Sequence, residues 1–244
     1  ANASVTWSGT NKGIPETLGK VNPDTVNGLV QVGSGNGNEG NLRIDGGSVV
    51  NIQGTLHIAN HRLSKGTVVV DGQGSKLIVT SDANNPMNIG NFGSGNLYVS
   101  NGGQVIGEFE GTEPTPHFWG WLLHKPDGRT AINTKIIIDG EGSELSYHKD
   151  SLIRVVGGGH KETNVDVLIS NGGKLSAGVL QLENGTANIQ IGNKGKGGTL
   201  DVRRFTIGSA DVKFTFDQND MLNFTPIIHT HRSLKESHVN FIQS

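Results

Sequence analysis

The sequence predicts an all-β protein: a right-handed parallel β-helix, or solenoid, forming a single elongated domain. Three observations carry this expectation. Glycine supplies 37 of 244 residues, roughly double the usual share. Short runs of Val, Ile and Leu are punctuated by Gly, Asn, Ser and Thr, as expected for many tight turns between short strands. One unit also recurs along the chain with its turn in a constant place.

Five segments align on that turn. They are Asn41-Leu-Arg-Ile-Asp-Gly-Gly-Ser48, Thr67-Val-Val-Val-Asp-Gly-Gln-Gly-Ser75, Asn96-Leu-Tyr-Val-Ser-Asn-Gly-Gly103, Lys135-Ile-Ile-Ile-Asp-Gly-Glu-Gly-Ser143 and Asp166-Val-Leu-Ile-Ser-Asn-Gly-Gly173. Each joins a β-branched strand to Asp-Gly or Asn-Gly, residues that tolerate positive φ at low cost. A second short strand follows each turn, as at Lys76-Leu-Ile-Val79 and Gln104-Val-Ile106. A third lies between turns: Leu29–Val32, Leu56–Ile58, Met87–Ile89 and Ile153–Val155 ahead of the units at 41, 67, 96 and 166, and Leu180–Leu182 after the last. The step between units runs from 26 residues (Asn41 to Thr67) to 39 (Asn96 to Lys135), so loops vary while strands persist.

Three short strands per unit fit one triangular coil. Strand alternation sends one side-chain set inward. Leu42/Ile44, Val68/Val70, Leu97/Val99, Ile136/Ile138 and Val167/Ile169 are therefore expected to stack along one inner face. The reading divides the chain into an N-terminal cap or lead-in at 1–28, repeats over 29–220 with a loop insertion at 108–134, and a last coil or C-terminal cap at 221–244. Asn-Gly and Asp-Gly between apolar runs are also hairpin signals, so an antiparallel sandwich remains the alternative.

Composition narrows the function. A net charge of -2 gives no basic face, and no nucleic-acid partner is expected. No apolar run approaches the roughly eighteen residues of a membrane span. Ala1-Asn2-Ala3-Ser4 suits the new N-terminus left by a signal peptidase. The chain has no cysteine, which removes disulfides, zinc-thiolate sites and thiol nucleophiles.

At the repeat the chain resembles the passenger domains of bacterial autotransporters, the type V secretion adhesin-like family. The resemblance is carried by Met87-Asn-Ile-Gly-Asn-Phe-Gly-Ser-Gly-Asn-Leu-Tyr-Val-Ser-Asn-Gly-Gly-Gln-Val105, by Val165-Asp-Val-Leu-Ile-Ser-Asn-Gly-Gly-Lys-Leu-Ser-Ala177 and by Ile189-Gln-Ile-Gly-Asn-Lys-Gly-Lys-Gly-Gly-Thr-Leu-Asp-Val202. Val5-Thr-Trp-Ser-Gly9 is similar to the opening of such passengers. It covers about residues 29–216. It implies export to the bacterial surface or outer membrane, or secretion, through a downstream translocating barrel, with no membrane insertion by this segment. It also implies a non-enzymatic role in adhesion or cell aggregation, with a host-cell protein, a glycan or a second copy as partner. A polysaccharide-degrading β-helix enzyme and a structural stalk are the alternatives, since fold alone does not decide function.

One segment departs from the repeat. Residues 108–134 hold two of the three tryptophans, and His117, Phe118, Trp119, Trp121 and His124 are the candidate ligand-binding residues. Long loops in compact folds are commonly functional, and aromatic rings supply contact area at low entropic cost. The competing reading has these rings packing against the coil. No cofactor and no metal are expected, since His229 and His231 alone fall short of the ligands a metal site needs. Asp45, Asp71 and Asp139 read as turn residues bonding their own backbone. An enzyme would need clustered carboxylates; Glu141, Glu144 and Asp150 lie close in sequence near His148 and Lys149, and read first as a solvated polar stretch.

Overall fold

The computed structural model describes residues 3–8, 25–81, 87–90, 93–109, 117–120, 132–148, 151–157, 163–183, 186–192, 197–207, 211–216, 221–225 and 239–243. These form a parallel β-solenoid. Every strand pairing among them is parallel, which excludes the sandwich. A sandwich is built from antiparallel neighbours.

The first face is a nine-stranded sheet. It stacks β1 (Ala3–Ser8), β3 (Glu39–Asp45), β5 (Lys65–Asp71), β8 (Ser94–Ser100), β11 (Ile132–Asp139), β14 (Thr163–Ser170), β16 (Thr186–Ile191), β18 (Asp211–Phe216) and β20 (Val239–Gln243). The other two faces share one sheet, because long strands bend across the corner between them. Of these, β4 (Val49–Ile58) pairs through its first half with β6 (Lys76–Ser81) and through its second with β7 (Met87–Ile89). β15 (Lys174–Glu183) and β17 (Thr199–Ile207) likewise span both faces. The second face continues through β9 (Gln104–Phe109), β12 (Glu144–Tyr147) and β19 (Met221–Thr225). The third runs from β2 (Thr25–Val32) through β7, β10 (His117–Gly120) and β13 (Leu152–Gly157).

The register is the one the turn alignment predicts. Asn41 pairs with Thr67, Thr67 with Asn96, Asn96 with Lys135 and Lys135 with Asp166. The expected inner pairs follow: Ile44, Val68, Val70, Leu97, Val99, Ile136, Ile138 and Ile169 have no exposed surface, and Leu42 and Val167 almost none. Full burial of each such side chain contributes about 1.5–3 kcal/mol. The exposed pair Lys65–Glu39, at 3.0 Å, belongs to a class worth about 0–1 kcal/mol. The inner ladders therefore carry the stability, not the charges outside.

One inner column departs from regular stacking. On the second face Val79, Gly107 and Tyr147 occupy successive levels. Gly107 has no side chain, and Tyr147 is large and buried. The phenol reaches across the core and donates to Met87 Sδ at 3.1 Å. Its burial pushes the phenol pKa far above its ordinary value, so it stays a neutral donor.

Corners between the first and second faces decide how closely coils approach. A Cβ on Gly103 would lie 2.4 Å from the Val70 carbonyl oxygen of the preceding coil, and one on Gly173 2.3 Å from that of Ile138. At Gly47, one position earlier in its turn, the nearest atom is the Gln73 carbonyl oxygen of the next coil at 3.8 Å, but φ is +78°. We expect Gly103→Ala to destabilise by about 3 kcal/mol, by forcing two coils apart. Gly47→Ala should cost about 1–2 kcal/mol, from left-handed backbone strain alone. Urea unfolding of both variants checks this; equal losses would show that the close approach is relieved at no cost.

Candidate binding surfaces

The third face presents a polar column along the outside of the solenoid. Gln31 pairs with His57, His57 with Asn88, Asn88 with His117, His117 with Arg154, Arg154 with Gln181 and Gln181 with Thr206. Alternation explains the column: the flanking positions of β4, Leu56 and Ile58, are fully buried, so His57 faces outward. Asn88 is itself buried, at 6% exposure, whereas Gln31 at the start of the column is exposed.

His117, Phe118 and Trp119 of the expected insertion lie within this face. Their backbone is strand β10, paired with β7 on one side and β13 on the other. In backbone register His117 is level with Asn88 and Arg154. Phe118 takes the level of Ile89 and Val155, and Trp119 that of Val156. Part of the segment read as a loop is thus a rung of the solenoid. Trp121 and His124 lie outside the described residues, as do His229, His231, Lys149 and Asp150.

His57 is half-buried. Asn60 Nδ2 donates to its Nδ1 at 2.9 Å, which places the ring proton on Nε2. Burial, and secondarily the nearby His61, lower its pKa below the ordinary histidine value.

The aspartate corners form a second polar array, and here the expectation from sequence needs correction. Asp71 and Asp139 bind the next coil rather than their own backbone. Asp71 Oδ1 accepts from Ser100 Oγ at 2.7 Å and Asn101 Nδ2 at 2.8 Å. Asp139 Oδ1 accepts from Ser170 Oγ at 2.6 Å and Asn171 Nδ2 at 2.5 Å. Asp-Gly corners thus alternate with Ser-Asn corners, each carboxylate facing two donors one coil away. The hydrogen bonds from Ser100 and Asn101, with the charge of Arg43 behind them, hold the Asp71 carboxyl below the usual carboxylate range. Where two Asp corners meet directly, Arg43 bridges them, bonding Asp45 and Asp71 at 2.7 Å each. Buried serines complete the corners: Ser75 Oγ accepts from the Gly47 amide at 3.1 Å, and Ser143 Oγ from that of Gly102 at 3.0 Å.

Asp45, Asp71 and Asp139 thus have structural partners at the corners. Glu144 shares Lys174 with Asp201, at 3.5 and 3.4 Å. It also accepts from Ser176 Oγ at 3.2 Å. Glu141 stands apart on the exposed corner beyond Gly140. Among the described residues no group of three His, Cys, Asp or Glu is placed to hold a metal ion.

Sequence reading missed a further surface. Outward along the middle of the first face, Val69, Tyr98, Ile137 and Leu168 stack in register and are partly exposed. Arg43 precedes them and Gln190 follows. The signal was present as unbroken apolar triplets: Val68-Val69-Val70, Leu97-Tyr98-Val99, Ile136-Ile137-Ile138 and Val167-Leu168-Ile169. A strand with one wet face should alternate there.

No family model matches the chain, and neither a curated protein nor a solved structure shows significant similarity to it.

The lowered His57 pKa sets a sign for stability. The unfolded state takes up a proton near pH 6.5, before the folded state does. The contribution is complete above that pH and is lost as pH falls through the lower folded value. His57→Gln should therefore flatten the stability profile on the acid side of pH 6.5, measured by thermal melts. A profile unchanged by the substitution would assign the acid sensitivity to other groups.

Proposed function

We propose that this chain is a non-enzymatic, surface-displayed solenoid, the passenger of an autotransporter, acting in adhesion or cell aggregation. The observation that carries the reading is the polar column of the third face, enclosed at Asn88, with the backbone of β10 in register along it. A parallel solenoid holds these positions at fixed spacing of about 4.8 Å per coil. Many polar contacts at regular spacing suit a repetitive or extended partner such as a glycan or a host-cell surface protein. The resemblance of the repeats to passenger domains supports export and surface display. The carboxylates Asp71, Asp139 and Glu144 are engaged in holding neighbouring coils together, which favours a scaffold role.

The test is binding of the purified protein to cultured epithelial cells and to a glycan array, beside a Trp121→Ala/His124→Ala variant. Excising the whole segment would remove a rung, so β10 is left in place. The intact protein should bind, and the double variant should bind at least tenfold more weakly. No binding by the intact protein, together with no clumping of cells that display it, would overturn the adhesion reading.

A further inference from the structure

The two Ser-Asn corners each carry a chemically labile pair, Asn101-Gly102 and Asn171-Gly172. Asparagine is a thermolabile residue. Before glycine it is most open to attack, because glycine has no side chain to shield its amide nitrogen. That nitrogen forms a bond to the asparagine Cγ. The Cγ–Nδ2 bond breaks, and ammonia leaves with the glycine amide proton. A five-membered imide remains. Water then opens the imide at either carbonyl carbon. One product is an aspartate; the other is an isoaspartate, whose main chain runs through the former side chain.

In the folded corners both reacting groups are held by other coils. The Gly102 amide donates to Ser143 Oγ at 3.0 Å, and Ser143 is buried. The Gly172 amide donates to the Gly197 carbonyl at 2.7 Å. Asn101 Nδ2 donates to Asp71 Oδ1 at 2.8 Å, and Asn171 Nδ2 to Asp139 Oδ1 at 2.5 Å. The imide nitrogen has no hydrogen, and Nδ2 is the atom that departs. Ring closure therefore abolishes both hydrogen bonds of a corner together.

The product also fits the stack worse than the reactant. A carboxylate at position 101 would stand against Asp71, where a donor stood, with Asp139 in the coil beyond. Like charges that close repel. The isoaspartate adds a methylene to the main chain one residue before Gly102 and Gly103, where the Val70 carbonyl already leaves no room for a β-carbon.

We propose that Asn101 and Asn171 are sites of spontaneous deamidation, with water as co-reactant: closed while the coils are stacked, open when a corner separates, and once converted barring that corner from closing again. The corner is a one-way latch. Its opening sets the rate of conversion, and conversion makes unfolding irreversible.

The full chain is kept in one mildly alkaline buffer, folded or in urea, and amide loss at each site is followed by peptide mass mapping. Folded, both sites should convert at least tenfold more slowly than in urea. Equal rates in the two states would overturn the proposal. Ser143→Ala, shown by circular dichroism to keep its β-structure, should speed conversion at Asn101 at least threefold and leave Asn171 unchanged, since the Gly172 amide is held elsewhere. A folded Ser143→Ala chain that converts Asn101 no faster would overturn the role of Ser143; a variant that does not fold leaves the comparison of folded and urea-held chain to decide. Chain held in urea until both sites convert should refold, on dilution, to less than half the yield of fresh chain. Asn101→Gly/Asn171→Gly puts at both corners the residue that stands there at Gly72 and Gly140, with φ of +92° and +98°. That double variant should refold equally well however long it is held. Aged parent chain refolding as fully as fresh chain would overturn the latch, as would a double variant that loses yield as steeply as the parent.

Discussion

Parallel stacking at one fixed spacing is the constraint from which everything else follows. Each residue sits directly beneath its counterpart in the next coil, so each column must be chemically acceptable to itself. Inside, Val, Leu and Ile satisfy this by repetition. At the corners the backbone of one coil presses against the next, and at Gly103 and Gly173 the preceding carbonyl leaves no room for a β-carbon. The glycine richness of the chain is in part the record of that approach.

Two places depart from repetition, and in each the excess is cancelled by a neighbour. The empty position of Gly107 lies beneath Tyr147, and the phenol spends the space on a reach to Met87. Carboxylates at the corners would repel if stacked on one another. Ser-Asn corners intervene between Asp71 and Asp139, and Arg43 intervenes between Asp45 and Asp71. Packing defects and charge defects are thus handled in the same way, one coil at a time.

The turn alignment was enough to read the register, because Asp-Gly and Asn-Gly recur at five successive passages round the first corner, from Asp45 to Asn171. Strand β10 was not legible. Pro116, His117 and two tryptophans carry no β-branched run, and its place between β7 and β13 is imposed by the coils on either side. The role of Asp71 and Asp139 was hidden for a related reason. A turn residue bonding its own backbone and one bonding the next coil have the same local sequence, and only the stacking distinguishes them. The outward row of Val69, Tyr98, Ile137 and Leu168 was written in the triplets, but it was masked by the inner residues beside each member.

The alternation of corners also bears on how such a chain can lengthen or shorten. Delete the coil that carries Ser100 and Asn101, and Asp71 comes to rest directly against Asp139. Two carboxylates then stand one coil apart with no donor between them, and a cation must arise at the same moment. Delete two coils together, and each carboxylate still meets a serine and an asparagine. In this stretch coils can be removed in pairs without stacking carboxylate on carboxylate, and Arg43 supplies the missing cation where two Asp corners already meet.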